Sequence, residues 1–111
     1  MKEKTAQKKQ VVLTSQASEF IFSQPVAVAG EFLAAIKALE NYGNLGMPRA
    51  KKIDKNLFEI RVKVARNQYR EFYCYAVGNI IYVLNGFVKK TQKTPLAEIR
   101  KAKAIMKGLG L

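Results

Sequence analysis

Residues 57–65 read LFEIRVKVA, with Phe58, Ile60, Val62 and Val64 alternating with Glu59, Arg61 and Lys63. A period of two places one set on each face of a strand, so this segment is a strand with an apolar and a polar face. Two further strand patterns follow closely. QYREFYCYAV puts Phe72, Cys74 and Ala76 on one face and Tyr69, Tyr73 and Tyr75 on the other, while IIYVLNGFVK is apolar on both, as an interior strand is. The links Arg66–Asn67 and Gly78–Asn79 are too short for a crossover, which makes the three strands an antiparallel meander. Any fold of this chain is built around that sheet.

The flanking segments supply helices. VVLT reads as a short strand, and SQASEFIFSQ fits either a strand or a short helix, with helix the preferred reading. From Pro25, a residue suited to a first helical turn, PVAVAGEFLAAIKALENYG carries Phe32, Leu33, Ile36 and Leu39 at helical spacing. Gly43 is its expected stop and Gly30 a point where it can break. NLGMPRAKKIDKN, with its glycine, proline and asparagines, reads as a loop. The closing segment TPLAEIRKAKAIMKGLGL has Thr94 as an expected cap, Pro95 in the first turn and Glu98 favouring the helix dipole. Its expected buried stripe is Leu96, Ile99, Ala102, Met106 and Leu109, leaving Arg100, Lys101, Lys103 and Lys107 in water. The expectation is a small α+β domain at residues 11–111, with helices on one face of a twisted, mainly antiparallel sheet and a helix at the C-terminus. Residues 1–10, MKEKTAQKKQ, lack periodicity and read as a flexible basic tail.

Composition narrows what such a domain does. At 111 residues and 49% hydrophobic the chain can bury one core without staples. The single cysteine, Cys74, lies in the apolar run EFYCYAV and reads as a small buried hydrophobe. No apolar run approaches the roughly 18 residues that span a bilayer, and no apolar segment follows the basic start, so a cytoplasmic location is expected. The net charge is +12, unevenly spread. Residues 49–70 carry eight cations against two acids and residues 71–111 seven against two, whereas residues 11–48 carry one lysine and three glutamates. The strand-bearing half therefore projects the positive field, which suits a polyanion such as nucleic acid. Its cations are spread over strands and turns and do not line an amphipathic helix, so a membrane surface is not the expected partner.

There is no histidine, which removes imidazole acid–base chemistry, serine triads and histidine-ligated metals. One cysteine cannot build a zinc cluster, and there is no Walker loop or dinucleotide fingerprint, so no metal or cofactor is expected. Lysine, arginine and tyrosine remain, and they suit one reaction class. RNA is cut when its own 2′-hydroxyl is aligned with the neighbouring phosphate and the charge that builds on that phosphate is neutralised. Arginine offers a fork for the phosphate, and lysine a point charge or an acid. Glu59, Arg61 and Lys63 on one strand, Arg70 on the next, and Lys89 and Lys90 on the third are placed to present such groups on an open sheet face. For Tyr73, Tyr75 and Tyr82 core packing is the better reading.

The stretches YGNLGMP, LFEIRV, YREFYCY and IIYVLNGFVKKTQKTPLAEIRKA, in this order, resemble the phage-derived, HigB-like branch of the RelE/ParE toxin superfamily. The match runs from Tyr42 to Ala102, and its most specific element is Phe87 followed by Lys89 to Pro95. The resemblance implies a RelE-like fold and a type II toxin silenced by an antitoxin, typically of helix-turn-helix type. It implies a ribosome-dependent endonuclease that cuts mRNA to a 2′,3′-cyclic phosphate and a 5′-hydroxyl. Carried over by motif, Arg61, Arg70, Lys89 and Lys90 are the catalytic and phosphate-binding candidates. Lys51, Lys52, Lys63, Tyr69 and Lys93 are candidate RNA contacts. Two alternatives stay open: a ParE-like inhibitor of gyrase, and an RNA-binding phage accessory protein without cleavage.

Overall fold

A computed structural model describes residues 8–111. In chain order the elements are β1 (Gln10–Leu13), α1 (Ser15–Phe22), α2 (Val26–Tyr42), β2 (Ala50–Asp54), β3 (Leu57–Val64), β4 (Asn67–Ala76), β5 (Ile80–Lys89) and α3 (Leu96–Gly108). The strands form one sheet in the order β1-β5-β4-β3-β2, antiparallel throughout except for the parallel pair β1–β5. This is the expected α+β fold, with the β3-β4-β5 meander at its centre. Of the expected tail, residues 1–7 lie outside the described residues, and Gln10 opens β1.

Local chemistry sets the helix ends. Thr14 leaves β1 and accepts the Ala17 N–H on its hydroxyl, which in turn donates to the Leu84 carbonyl, so one side chain starts α1 and ties it to β5. The ambiguous 15–22 segment is helical, with Ala17 and Ile21 buried. α2 runs unbroken through Gly30 and ends where Gly43 takes φ 79°, its N–H bonding the Leu39 carbonyl at 2.8 Å. Its buried stripe is Val28, Phe32, Ala35, Ile36 and Leu39; Leu33, expected inside, is exposed.

Three expectations are corrected. Residues 50–54, read as loop, form the edge strand β2 on β3. The helices do not share one face: α1 and α2 pack on Ile60, Val62, Tyr69, Tyr73, Ile81 and Val83. The opposite face, with Leu57, Phe72, Cys74, Leu84 and Phe87, is covered by α3 through Ile99, Ala102, Ile105 and Met106. β4 is apolar on both sides because both sides are covered. Finally, Thr94 does not cap α3. Pro95 occupies the flanking position without a side-chain bond, and Leu96 and Leu109 of the expected stripe stay exposed. Lys103 of α3 reaches Asp54 of β2, and the Asn85 amide donates to the Glu98 carbonyl at 3.4 Å, which anchors the helix across the sheet.

One irregularity decides which side chains reach the α3 face. Glu71 pairs with Gly86 and Tyr73 with Val83, so β5 carries one extra residue between them. Such a bulge resets the alternation. Leu84 and Phe87 thereby face the same core, and Lys89, opposite Gln68, falls on the α3 side, where Val88 would otherwise point.

Candidate active site

α3 covers the sheet face only in part, and beyond its N-terminal end the polar residues of β3, β4 and β5 converge. Glu59 is their centre. The residue is 1% exposed, with its Oε2 3.7 Å from Arg61 Nε and 3.5 Å from Arg70 Nε. Its Oε1 accepts the Thr94 hydroxyl at 3.1 Å. The polar face of β3, expected to lie open, is thus closed at Glu59 by the segment leading into α3. Register places Arg61 directly across from Arg70, and Gln68 across from Lys89.

The two arginines differ in what they can do. Arg70 is 3% exposed, its Nη1 donating to the Tyr69 carbonyl at 3.0 Å and its Nη2 to Gln68 Oε1 at 2.8 Å. Burial pulls it below the ordinary arginine value, Glu59 opposes that, and Arg61 adds to it. Its fork is occupied, so it acts as a fixed charge under the surface. Arg61 keeps part of its side chain in solvent. Lys89 is held below the ordinary lysine value, first by partial burial and then by the charge of Arg70, with Arg61 and Lys51 adding and Glu59 opposing.

Three concavities meet at Arg61. One of about 290 Å³ lies between β2 and the 90–95 segment, walled by Lys51, Glu59, Arg61, Lys89, Lys93 and Thr94. A second, of about 580 Å³, is walled by Arg61, Arg66, Gln68, Lys89, Lys90 and Thr91. A third, of about 380 Å³, opens toward Pro48, Arg49, Lys63 and Arg70. The structure therefore brings together Arg61, Arg70, Lys89, Lys90, Lys51 and Lys93, and sets Lys63 at the margin. Two candidates fall elsewhere. Tyr69 is 6% exposed opposite Val62 in the core under α1 and α2, and Lys52 holds its ammonium over the Phe58 ring, 6.0 Å from the centroid, although its residue borders the β2 cavity.

Sequence reasoning missed the role of Glu59, the use of Thr94, and the walls from Arg49, Arg66, Gln68 and Gln92. The signal for Glu59 was there: one acid two residues before an arginine, in a strand whose other polar positions are all cationic.

Such a site can bind a phosphodiester at Arg61 and Lys89, hold it against a second layer of charge, and exchange a proton through Lys89. No helix among the described residues is long and apolar enough to cross a membrane. No curated protein matches the chain. The family described as phage derived protein Gp49-like (DUF891) matches residues 19–107, which include the second half of α1, every element from α2 to β5 and nearly all of α3. The chain belongs to this phage-derived Gp49-like family, a RelE-like family associated with the toxins of toxin–antitoxin systems.

Proposed function

We propose that the protein is the toxin of a type II toxin–antitoxin pair and an endoribonuclease that cuts mRNA on the ribosome. The supporting observation is the convergence of Arg61 and Lys89 on two adjoining concavities, over the buried charge of Arg70. In the reaction the RNA 2′-oxygen loses its proton to solvent and bonds to phosphorus. The bond from phosphorus to the 5′-oxygen breaks, and the products are a 2′,3′-cyclic phosphate and a 5′-hydroxyl. Arg61 binds the phosphate oxygens and stabilises the charge that grows on them. Lys89, with its lowered proton affinity, gives a proton to the leaving 5′-oxygen. Arg70 supplies field from below, and Lys90, Lys51, Lys93 and Lys63 contact the flanking backbone. Tyr69 and Lys52 drop out of the contact set, because one is buried and the other is turned to Phe58.

The domain would work in the cytoplasm, opposed by an antitoxin of helix-turn-helix type whose acidic segment crosses the basic face. The test is cleavage of a defined mRNA on purified ribosomes, with 5′-hydroxyl ends mapped. Wild type should produce such ends, and Arg61→Ala and Lys89→Ala should each lose cleavage by about 10²-fold or more while melting as wild type does. Intact mRNA together with a DNA-damage response in expressing cells would favour gyrase as the target instead.

A further inference from the structure

We infer that the cavity beside Pro48 and Lys63 is a nucleobase subsite, adjoining the phosphate cluster at Arg61, that holds the base next to the cleaved phosphate and sets base preference. The inference rests on the reading of the site as one for RNA. Two independent observations carry it, the first being the size and lining of the cavity. Its volume of about 380 Å³ is in the range of small-ligand sites. Pro48, Arg49, Val62, Lys63 and Gln68 line it beside Arg61 and Arg70, and the lining is mainly apolar. A mainly apolar surface bordered by arginine is what an unstacked base packs against.

The second observation is a free stretch of strand edge. β2 pairs with β3 only as far as Ile60, and the Arg61 N–H then bonds the Arg49 carbonyl at 2.8 Å. In an antiparallel strand the N–H and C=O of alternate residues point to the same side. Lys63 therefore directs its peptide N–H and C=O toward the side that β2 has left, where no described strand pairs with it. This gives the cavity one fixed donor and one fixed acceptor, suited to the polar edge of a base. The same edge is a poor template for an added peptide strand, because it offers a single outward residue before the turn at Ala65. Arg61, shared with the phosphate cluster, also favours a ligand with a phosphate attached.

The test uses ¹H–¹⁵N spectra of the full chain, titrated separately with the four ribonucleoside 5′-monophosphates and with inorganic phosphate. At least one nucleotide should shift the Lys63 amide saturably, whereas inorganic phosphate should shift only the amides around Arg61 and Lys89. The exposed Arg49→Ala variant should weaken that nucleotide about fivefold or more while leaving phosphate binding unchanged. If all four nucleotides leave the Lys63 amide where phosphate leaves it, or if Arg49→Ala binds the nucleotide as wild type does, the subsite is refuted while the phosphate site stands. A shift of that amide by a short acidic peptide and by no nucleotide would make the edge a strand-pairing site and overturn the proposal. If neither phosphate nor nucleotide moves any of these amides, both readings fall.

Discussion

Three side chains make the sharpest tests at the scale of single residues. Lys89 donates its proton in the proposed reaction, so cleavage should fall as pH rises through its pKa, at lower pH than an ordinary lysine would give. Glu59 raises that pKa, and Glu59→Gln should therefore move the falling limb of the pH–rate profile to lower pH. A limb at the same pH in both proteins would remove Lys89 from the acid role. Glu59→Ala does more damage, since it strips the buried Arg70 guanidinium of its counter-charge. A loss of about 3–5 kcal/mol in denaturant unfolding is expected. Glu71 has no part in the site. It is fully buried with neither oxygen hydrogen-bonded, and burial pushes its carboxyl up to about 9. The folded chain keeps this proton while the unfolded chain releases it above the ordinary value of 4.5, so stability should fall between these two pH values as pH rises. The slope attributable to one such group is at most about 1.4 kcal/mol per pH unit. Melting curves of Glu71→Gln across that window should be flatter than those of wild type.

Among the elements, the meander, α2 and α3 were legible because each has a strong period, whereas α1 is short enough that its pattern fitted a strand as well. β2 was hidden by its composition: AKKID is short, carries two lysines in a row, and lies at a sheet edge where only Ala50 is buried. The side taken by α3 was hidden for another reason. Periodicity identifies the buried face of a helix but not the sheet face it meets, and the only hint was that Phe72 and Cys74 were as apolar as the tyrosines opposite them. The site was legible in part. Arg61, Arg70 and Lys89 follow from alternation and motif, but the bulge that aims Lys89 depends on pairing between β4 and β5 and leaves no mark in β5 except Gly86. That glycine also lets α1 approach, since a Cβ there would come within 2.3 Å of the Phe20 ring. Gly86→Ala should cost about 1–3 kcal/mol through this overlap. It should also lower cleavage by tilting the end of β5, and a variant that melts and cleaves as wild type does would show that α1 yields freely.

For the whole molecule, charge of +12 concentrated on the strand-bearing half predicts that association with ribosomes or mRNA is governed by salt. If six or more phosphates are neutralised, affinity should drop by about 10³-fold between 50 and 200 mM salt, as measured by equilibrium binding. A flat response would mean that the basic face does not meet RNA backbone. The placement of β1 has a consequence in time. Among the described strands β1 pairs with β5 alone, and the Thr14–Leu84 bond spans 70 positions of sequence. At about 5–20 residues per second, β1 waits several seconds for the strand it completes. Thr94, which closes the Glu59 cluster, comes later still. A newly made chain thus has neither a finished sheet nor the Glu59 cluster until β5 and Thr94 have been synthesised.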